Sequence, residues 1–301
     1  MAASHIETDR GLTTRMFVTG LLLVTLWVGV SFILFAVGVQ WPVVMLIMFA
    51  AIFSQYWFSG QIALYSMRAR IVTPEEEPQL HAMVDRLCAL AGMPKPQVGV
   101  ADLDVPNAFA TGRSPKAAVV VVTRGIMKRL PDEELEAVLA HELSHVAHRD
   151  VAVMTIASSV GMVAGLVGRM ALWGAMFTGG NRGREDDNTF LIEIATWLIS
   201  IAIYFVSYLL TLALSRYREL SADRSGAILI GKPSVLASAL VRITGDVSKI
   251  PTQDLRKVEG MNAFFFAPAF TKGSAASLLS THPSLQQRLD QLAKLEKDMN
   301  A

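Results

Sequence analysis

The chain has 301 residues, 52% of them hydrophobic and 18% charged, with a mean hydropathy of +0.41 and a net charge of +1. So small a net charge excludes bulk attraction to nucleic acid, and so much apolar sequence points to membrane segments beside one large domain or two small ones. A single cysteine, Cys88, excludes an intrachain disulfide framework and fits a reducing compartment.

Residues 1–15 form a polar tail ending in Arg10 and Arg15, and no charged residue follows from Met16 to Met67. Gln40-Trp41-Pro42 is the one obvious break, so this run reads as a helical hairpin with spans near 16–39 and 43–64. Each is long enough to cross about 30 Å of hydrocarbon, with Trp41, Tyr56 and Trp57 suited to the interfaces. Arg68 and Arg70 mark the return to the starting side. Leu80, Met83, Val84, Leu87, Cys88 and Ala91 then follow the spacing of a helix with one buried face. His81 falls off that stripe and is expected at the surface. Gln97–Ala101 and Ala117–Thr123 read as strands, the second buried and valine-rich. Between them, Val105–Gly112 is either a connecting loop or an exposed edge strand.

Pro131 followed by Asp132, Glu133 and Glu134 marks a helix start. That helix carries His141-Glu142-Leu143-Ser144-His145. Histidines four residues apart share one helix face and can hold a single zinc ion, while the neighbouring carboxylate takes a proton from a metal-activated water. The bland alternative is an amphipathic helix with two surface histidines. His148 would join the metal only if the helix broke, and no glycine stands there to break it. It is expected to have a surface or interfacial role.

Val151–Gly168 carries no charge, Arg169 interrupts, and Met170–Phe177 continues. After the polar loop 181–188, Ile194–Leu214 is uncharged again. This predicts a second membrane hairpin near 151–177 and 190–214, the alternative being a buried soluble one. Arg169 and Glu193 lie at comparable depth and either pair or snorkel. With four spans, Arg10, Arg15, Arg68, Arg70, Arg149, Arg216 and Arg218 all fall on one side, which places both termini and both soluble segments in the cytoplasm. The resulting scheme is a tail and hairpin over 1–67, half of a soluble domain over 68–150, a second hairpin over 151–214, and the other half over 215–301.

A catalytic zinc needs a third protein ligand and an open position. Glu219 is the strongest candidate, with Asp223 one turn further on and placed to orient a ligand histidine. Spacing alone leaves an equal alternative, a charged helix leaving the membrane with Arg216, Arg218 and Glu219 at the headgroups. Lys232-Pro233 interrupts that helix. Residues 247–279 look loop-like and include the apolar patch Phe264–Phe270, for which core filling is the default. Leu285, Leu289, Leu292 and Leu295 make the last helix amphipathic.

Taken together, Pro106–Gly112, the His141–His145 motif, Ser215–Asp223 and Ser280-Thr281-His282-Pro283 resemble, in order, the HtpX-like membrane zinc metalloproteases, relatives of the CAAX prenyl proteases. The resemblance implies a mainly α, four-span helical membrane protein whose α+β catalytic part is a gluzincin-like zinc metalloprotease domain with a small β-sheet. It implies one Zn2+ per chain held by His141, His145 and Glu219, with Asp223 behind the ligands and Glu142 catalytic. It assigns Asn107, Ala108 and Phe109 to a strand that takes substrate backbone, and His282 either to the oxyanion or to packing. Ser284 stands where the family often has a second proline. The partners implied are polypeptides, mainly membrane proteins under quality control during stress, and the lipid bilayer, with no nucleic acid. The place implied is a bacterial inner (cell) membrane, with the active site facing the cytoplasm. The rivals are a prenyl-protein endopeptidase, a site-two intramembrane protease and a non-catalytic scaffold with a structural metal. The Pro-Asp-Glu-Glu start of the motif helix argues against the second.

Overall fold

The computed structural model describes residues 10–36, 41–178, 186–247 and 280–300. The linker patch at Phe264–Phe270 and the polar loop up to residue 185 lie outside these. Two compact units form: one from Trp57–Ala152 and Ser215–Ala301, the other from Thr14–Tyr56 and Val153–Leu214.

The first unit holds a four-stranded mixed sheet in the order β1-β2-β4-β3, from β1 (Ala69–Ile71), β2 (Gln97–Ala101), β3 (Ala108–Thr111) and β4 (Val119–Thr123). Central β4 pairs parallel to β2 and antiparallel to β3, with Ala108 opposite Val122 and Thr111 opposite Val119. Both of its faces are covered: Val120 and Val122 join the main core, and Val119 and Val121 join a second cluster with Ala63, Met67 and Phe109. That is why the strand reads as an unbroken valine run rather than an alternating one. The segment with two open readings, Val105–Gly112, contains an edge strand.

Helices α3 (Pro78–Ala91), α4 (Arg124–Arg129), α5 (Asp132–Ala147), α8 (Pro233–Val247) and α9 (Leu285–Asn300) complete this unit, with the ends of three long helices described below. The apolar stripe of α3 is buried as its spacing requires, and Gly92, at φ 63°, closes the helix in the left-handed conformation. His81 is buried, not exposed: its Nε2 lies 3.0 Å from the Val72 carbonyl, which widens the buried face by one polar contact. Cys88 is buried in the main core.

The second unit is built from most of each of α1 (Arg10–Ala36), α2 (Trp41–Ser66), α6 (Asp150–Thr178) and α7 (Asp186–Ile230). Within it α6 and α7 approach closely through small residues: Gly168 meets the Ser200 side chain and Gly165 meets Tyr204. Trp27 of α1 donates its indole N–H to Ser159 of α6 at 3.3 Å. Such contacts suit helices that associate in lipid, where apolar burial gives no drive. Large side chains such as Phe17, Phe32, Trp173 and Phe205 are exposed. Arg169 is exposed, and Glu193 turns onto Gly174 with its Oε2 buried and without a hydrogen-bond partner; the two do not pair. Among the described residues, α6 and α7 are long and apolar enough to cross a membrane; of α1 and α2, only the shorter stretch Thr14–Gly29 qualifies as apolar.

Candidate metal centre

Helix α5 starts at Pro131 with Asp132, Glu133 and Glu134 in its first turn and becomes fully buried by His141. His141, Glu142 and Asp223 are each less than 5% exposed. The Nε2 atoms of His141 and His145 lie 3.1 Å apart, and Glu219 of α7 brings Oε1 to 3.3 Å from His145 Nε2 and Oε2 to 3.8 Å from His141 Nε2. Of the residues in view at the sequence level, these three form the one group that can hold a metal among the described residues.

The far sides of the rings face carboxylates. His141 Nδ1 is 2.9 Å from Asp223 Oδ1, at an oblique approach, and His145 Nδ1 is 2.5 Å from Asp150 Oδ2. A carboxylate only accepts, so each Nδ1 carries its proton and each Nε2 is left to offer a lone pair. Two lone pairs and a carboxylate oxygen then converge on one point, and a cation is required to balance them. Donors about 2.05 Å from a tetrahedral zinc stand about 3.3 Å from one another, close to the distances found. Burial works against the imidazolium, but Asp150 and Glu219 overcome it and raise His145 to about 10. Burial wins at His141, whose pKa is lowered despite Asp223.

Glu142 is buried against the sheet and accepts the Ala110 N–H of β3 at 2.9 Å on Oε2. Burial raises it to about 8 against the pull of His145. The β3 edge is therefore next to the carboxylate. The side chains of Asn107, Ala108 and Phe109 are all buried, and Asn107 is tied to Thr123 through both its N–H and its carbonyl. A small cleft lies between Ala110–Gly112 and the turn after α5, with His145 on its wall.

His282 places Nδ1 3.0 Å from Glu219 Oε2, while its Nε2 is buried without a partner. With its proton donated to Glu219, Nε2 has none to give an oxyanion unless the ring is the cation. His148 stays out of the cluster, its Nε2 3.5 Å from Ser225 Oγ. The helix nonetheless breaks beside it, against expectation: Arg149 adopts φ 56° without being glycine, and α6 restarts at Asp150. Arg218, which one of the two readings put at the headgroups, is buried and binds Asp150 Oδ2 at 2.7 Å. Arg288 was also missed. It forks onto Asp223 at 2.7 and 2.6 Å from a position on α9 four residues before Leu292, so it is a basic residue on the buried stripe.

The chain resembles known proteins along nearly all its length. It is 52% identical over 299 residues to "Protease HtpX homolog 1" of Streptomyces coelicolor, covering 98% of this chain and 96% of that one. It is 48% identical over 296 residues to "Protease HtpX homolog" of Moorella thermoacetica, covering 98% of both. The fold matches the crystal structure of S. mikatae Ste24p with a TM-score of 0.56 at 17% identity, over 94% of this chain and 67% of that one. The model of peptidase family M48 matches residues 74–296. With a His-His-Glu cluster at the centre of that match, the chain belongs to peptidase family M48, a family of metalloproteases.

Proposed function

We propose that this chain is an integral-membrane zinc endopeptidase that hydrolyses misfolded or damaged membrane proteins from the cytoplasmic side of a cell membrane. The observation that carries the reaction type is the convergence of His141 Nε2, His145 Nε2 and Glu219 on one point, with Glu142 alongside. Those three residues would hold the zinc, and Asp223 would orient His141. Bound there, zinc would supply Lewis acidity to polarise a scissile carbonyl and acidify a water. Glu142 takes the proton and returns it to the leaving amine. The Ala110 N–H occupies one of its oxygens, so the other carries the proton. Main-chain groups of β3 bind the substrate as an added strand, which suits a protease of unfolded segments of any sequence. The membrane reading takes four spans, 16–39, 43–64, 151–177 and 190–214; the apolar length of α6 and α7 supports the second pair.

The test uses detergent-purified protein with casein and a farnesylated peptide as separate substrates. Chelator-sensitive cleavage of casein is expected. Cleavage confined to the farnesylated peptide would favour a prenyl-protein endopeptidase, and cleavage of neither, with metal bound, would favour a scaffold.

A further inference from the structure

We propose that Asp150 and Arg218 act as positioning residues for His145, an inference that rests on the zinc reading above. An ideal helix continued through residue 150 would put that side chain about 140° round the axis from residue 145, since five residues advance about 500°. The chain avoids this. α5 stops at Ala147, Arg149 takes the left-handed conformation that non-glycine residues rarely adopt, and Asp150 swings back to meet His145 Nδ1 at 2.5 Å. An acid at the start of α6 is commonplace as a partner for the helix dipole. That role does not explain why its carboxylate is buried between an imidazole and a guanidinium.

Arg218 supplies the second half. Its Nη2 is 2.7 Å from the same Oδ2 of Asp150, and its side chain is only 9% exposed. The next residue, Glu219, faces His145 from the other side, with Oε1 3.3 Å from Nε2. Consecutive residues of α7 therefore fasten His145 from both sides, Glu219 at the metal position and Arg218 through Asp150. The His141–Asp223–Arg288 chain is built in the same way. Each imidazole then has its proton fixed on Nδ1 and its lone pair turned inward by a carboxylate held in place by an arginine. His145 is the more exposed of the two rings, with 14% of its side chain accessible against 1% for His141, so it has less packing to hold its orientation.

The experiment compares full-length wild type, Asp150→Asn, Arg218→Gln, Arg218→Lys and a control, Arg242→Ala, which breaks the Glu134–Arg242 ion pair of the same unit away from the metal. Each is purified in detergent, and zinc is titrated against a chromophoric chelator, with thermal unfolding followed in parallel. Asp150→Asn keeps size and an acceptor oxygen but loses the charge. It is expected to bind zinc about 10- to 100-fold more weakly, the usual cost of losing a partner behind a ligand histidine. Arg218→Gln should weaken it less, Arg218→Lys should recover part of that loss, and Arg242→Ala should change melting alone. Wild-type zinc affinity in both Asp150→Asn and Arg218→Gln would overturn the proposal, even if both melted earlier. If Asp150→Asn does not fold, Arg218→Gln against Arg218→Lys decides. A wild type that takes up no zinc would remove the zinc reading itself, and this inference with it.

Discussion

Gly226 offers the sharpest structural prediction. It lies on α7 two turns after Glu219 and three residues after Asp223, where the helix packs directly on the α5 backbone. A Cβ there would stand 2.8 Å from His141 N, 2.9 Å from His141 Cα and 3.0 Å from Ala140 C. These are backbone atoms and cannot rotate away. Ordinary contact needs about 3.5 Å, so Gly226→Ala must push the helices apart by about 0.7 Å. Overpacking of this kind costs about 1–3 kcal/mol, while alanine in place of glycine returns about 1 kcal/mol of helix propensity. The net loss of stability is therefore about 0–2 kcal/mol, small enough for the protein to fold. The site has less tolerance, because the 2.9 Å approach of Asp223 to His141 and the reach of Glu219 are set by the same helix spacing. Zinc affinity should fall about tenfold or more with only a modest change in melting. Competition with a chromophoric chelator measures the first and thermal unfolding the second. Unchanged affinity in a folded Gly226→Ala protein would refute the close-packing argument.

Other consequences are independent of that one. Removing the donor that His282 offers to Glu219 Oε2 with His282→Ala should lower zinc affinity, since charge-assisted hydrogen bonds contribute about 1.5–3 kcal/mol. Full zinc affinity with only kcat reduced would instead put the ring on the substrate. Burial raises the Cys88 thiol to about 11, so about a thousandth is thiolate at pH 8. A maleimide should leave Cys88 unmodified in folded protein and react fully in denaturant; rapid labelling of the native state would contradict its place in the core. In the second unit, Gly168→Ile brings bulk against Ser200 and should lower the melting temperature in detergent, whereas exposed Leu191→Ala should not.

Much of the site was legible because it obeys helix periodicity. His141 and His145 share a face through i, i+4 spacing, and Glu219, Asp223 and Gly226 share another through i, i+4 and i+7. The same spacing could not say whether Glu219 faced the histidines or lipid headgroups; the structure brings it to 3.3 Å from His145 across 73 intervening residues, a contact that spacing along one helix does not show. Asp150 was beyond reach for a different reason: its contact depends on a left-handed Arg149, which no residue preference announces. Arg288 could have been found, because a basic residue in register with Leu292 and Leu295 marks a buried charge in need of a partner. His81 went the other way, its stripe widened by a backbone carbonyl that periodicity does not see. For the sheet, the valine run of β4 signalled two covered faces, but the weak pattern of Val105–Gly112 left loop and edge strand undivided. Small alternating alanines facing α5 explain that weakness.

The most direct test of the central claim measures zinc content and casein cleavage on the same preparation of Glu142→Gln beside wild type. Glutamine keeps the hydrogen bond from Ala110 and the shape of the site but cannot take the proton. Zinc at one per chain in both proteins, with cleavage lost only in the variant, is the expected result. Cleavage at the wild-type rate by zinc-loaded Glu142→Gln would contradict the assignment of Glu142 as the proton carrier.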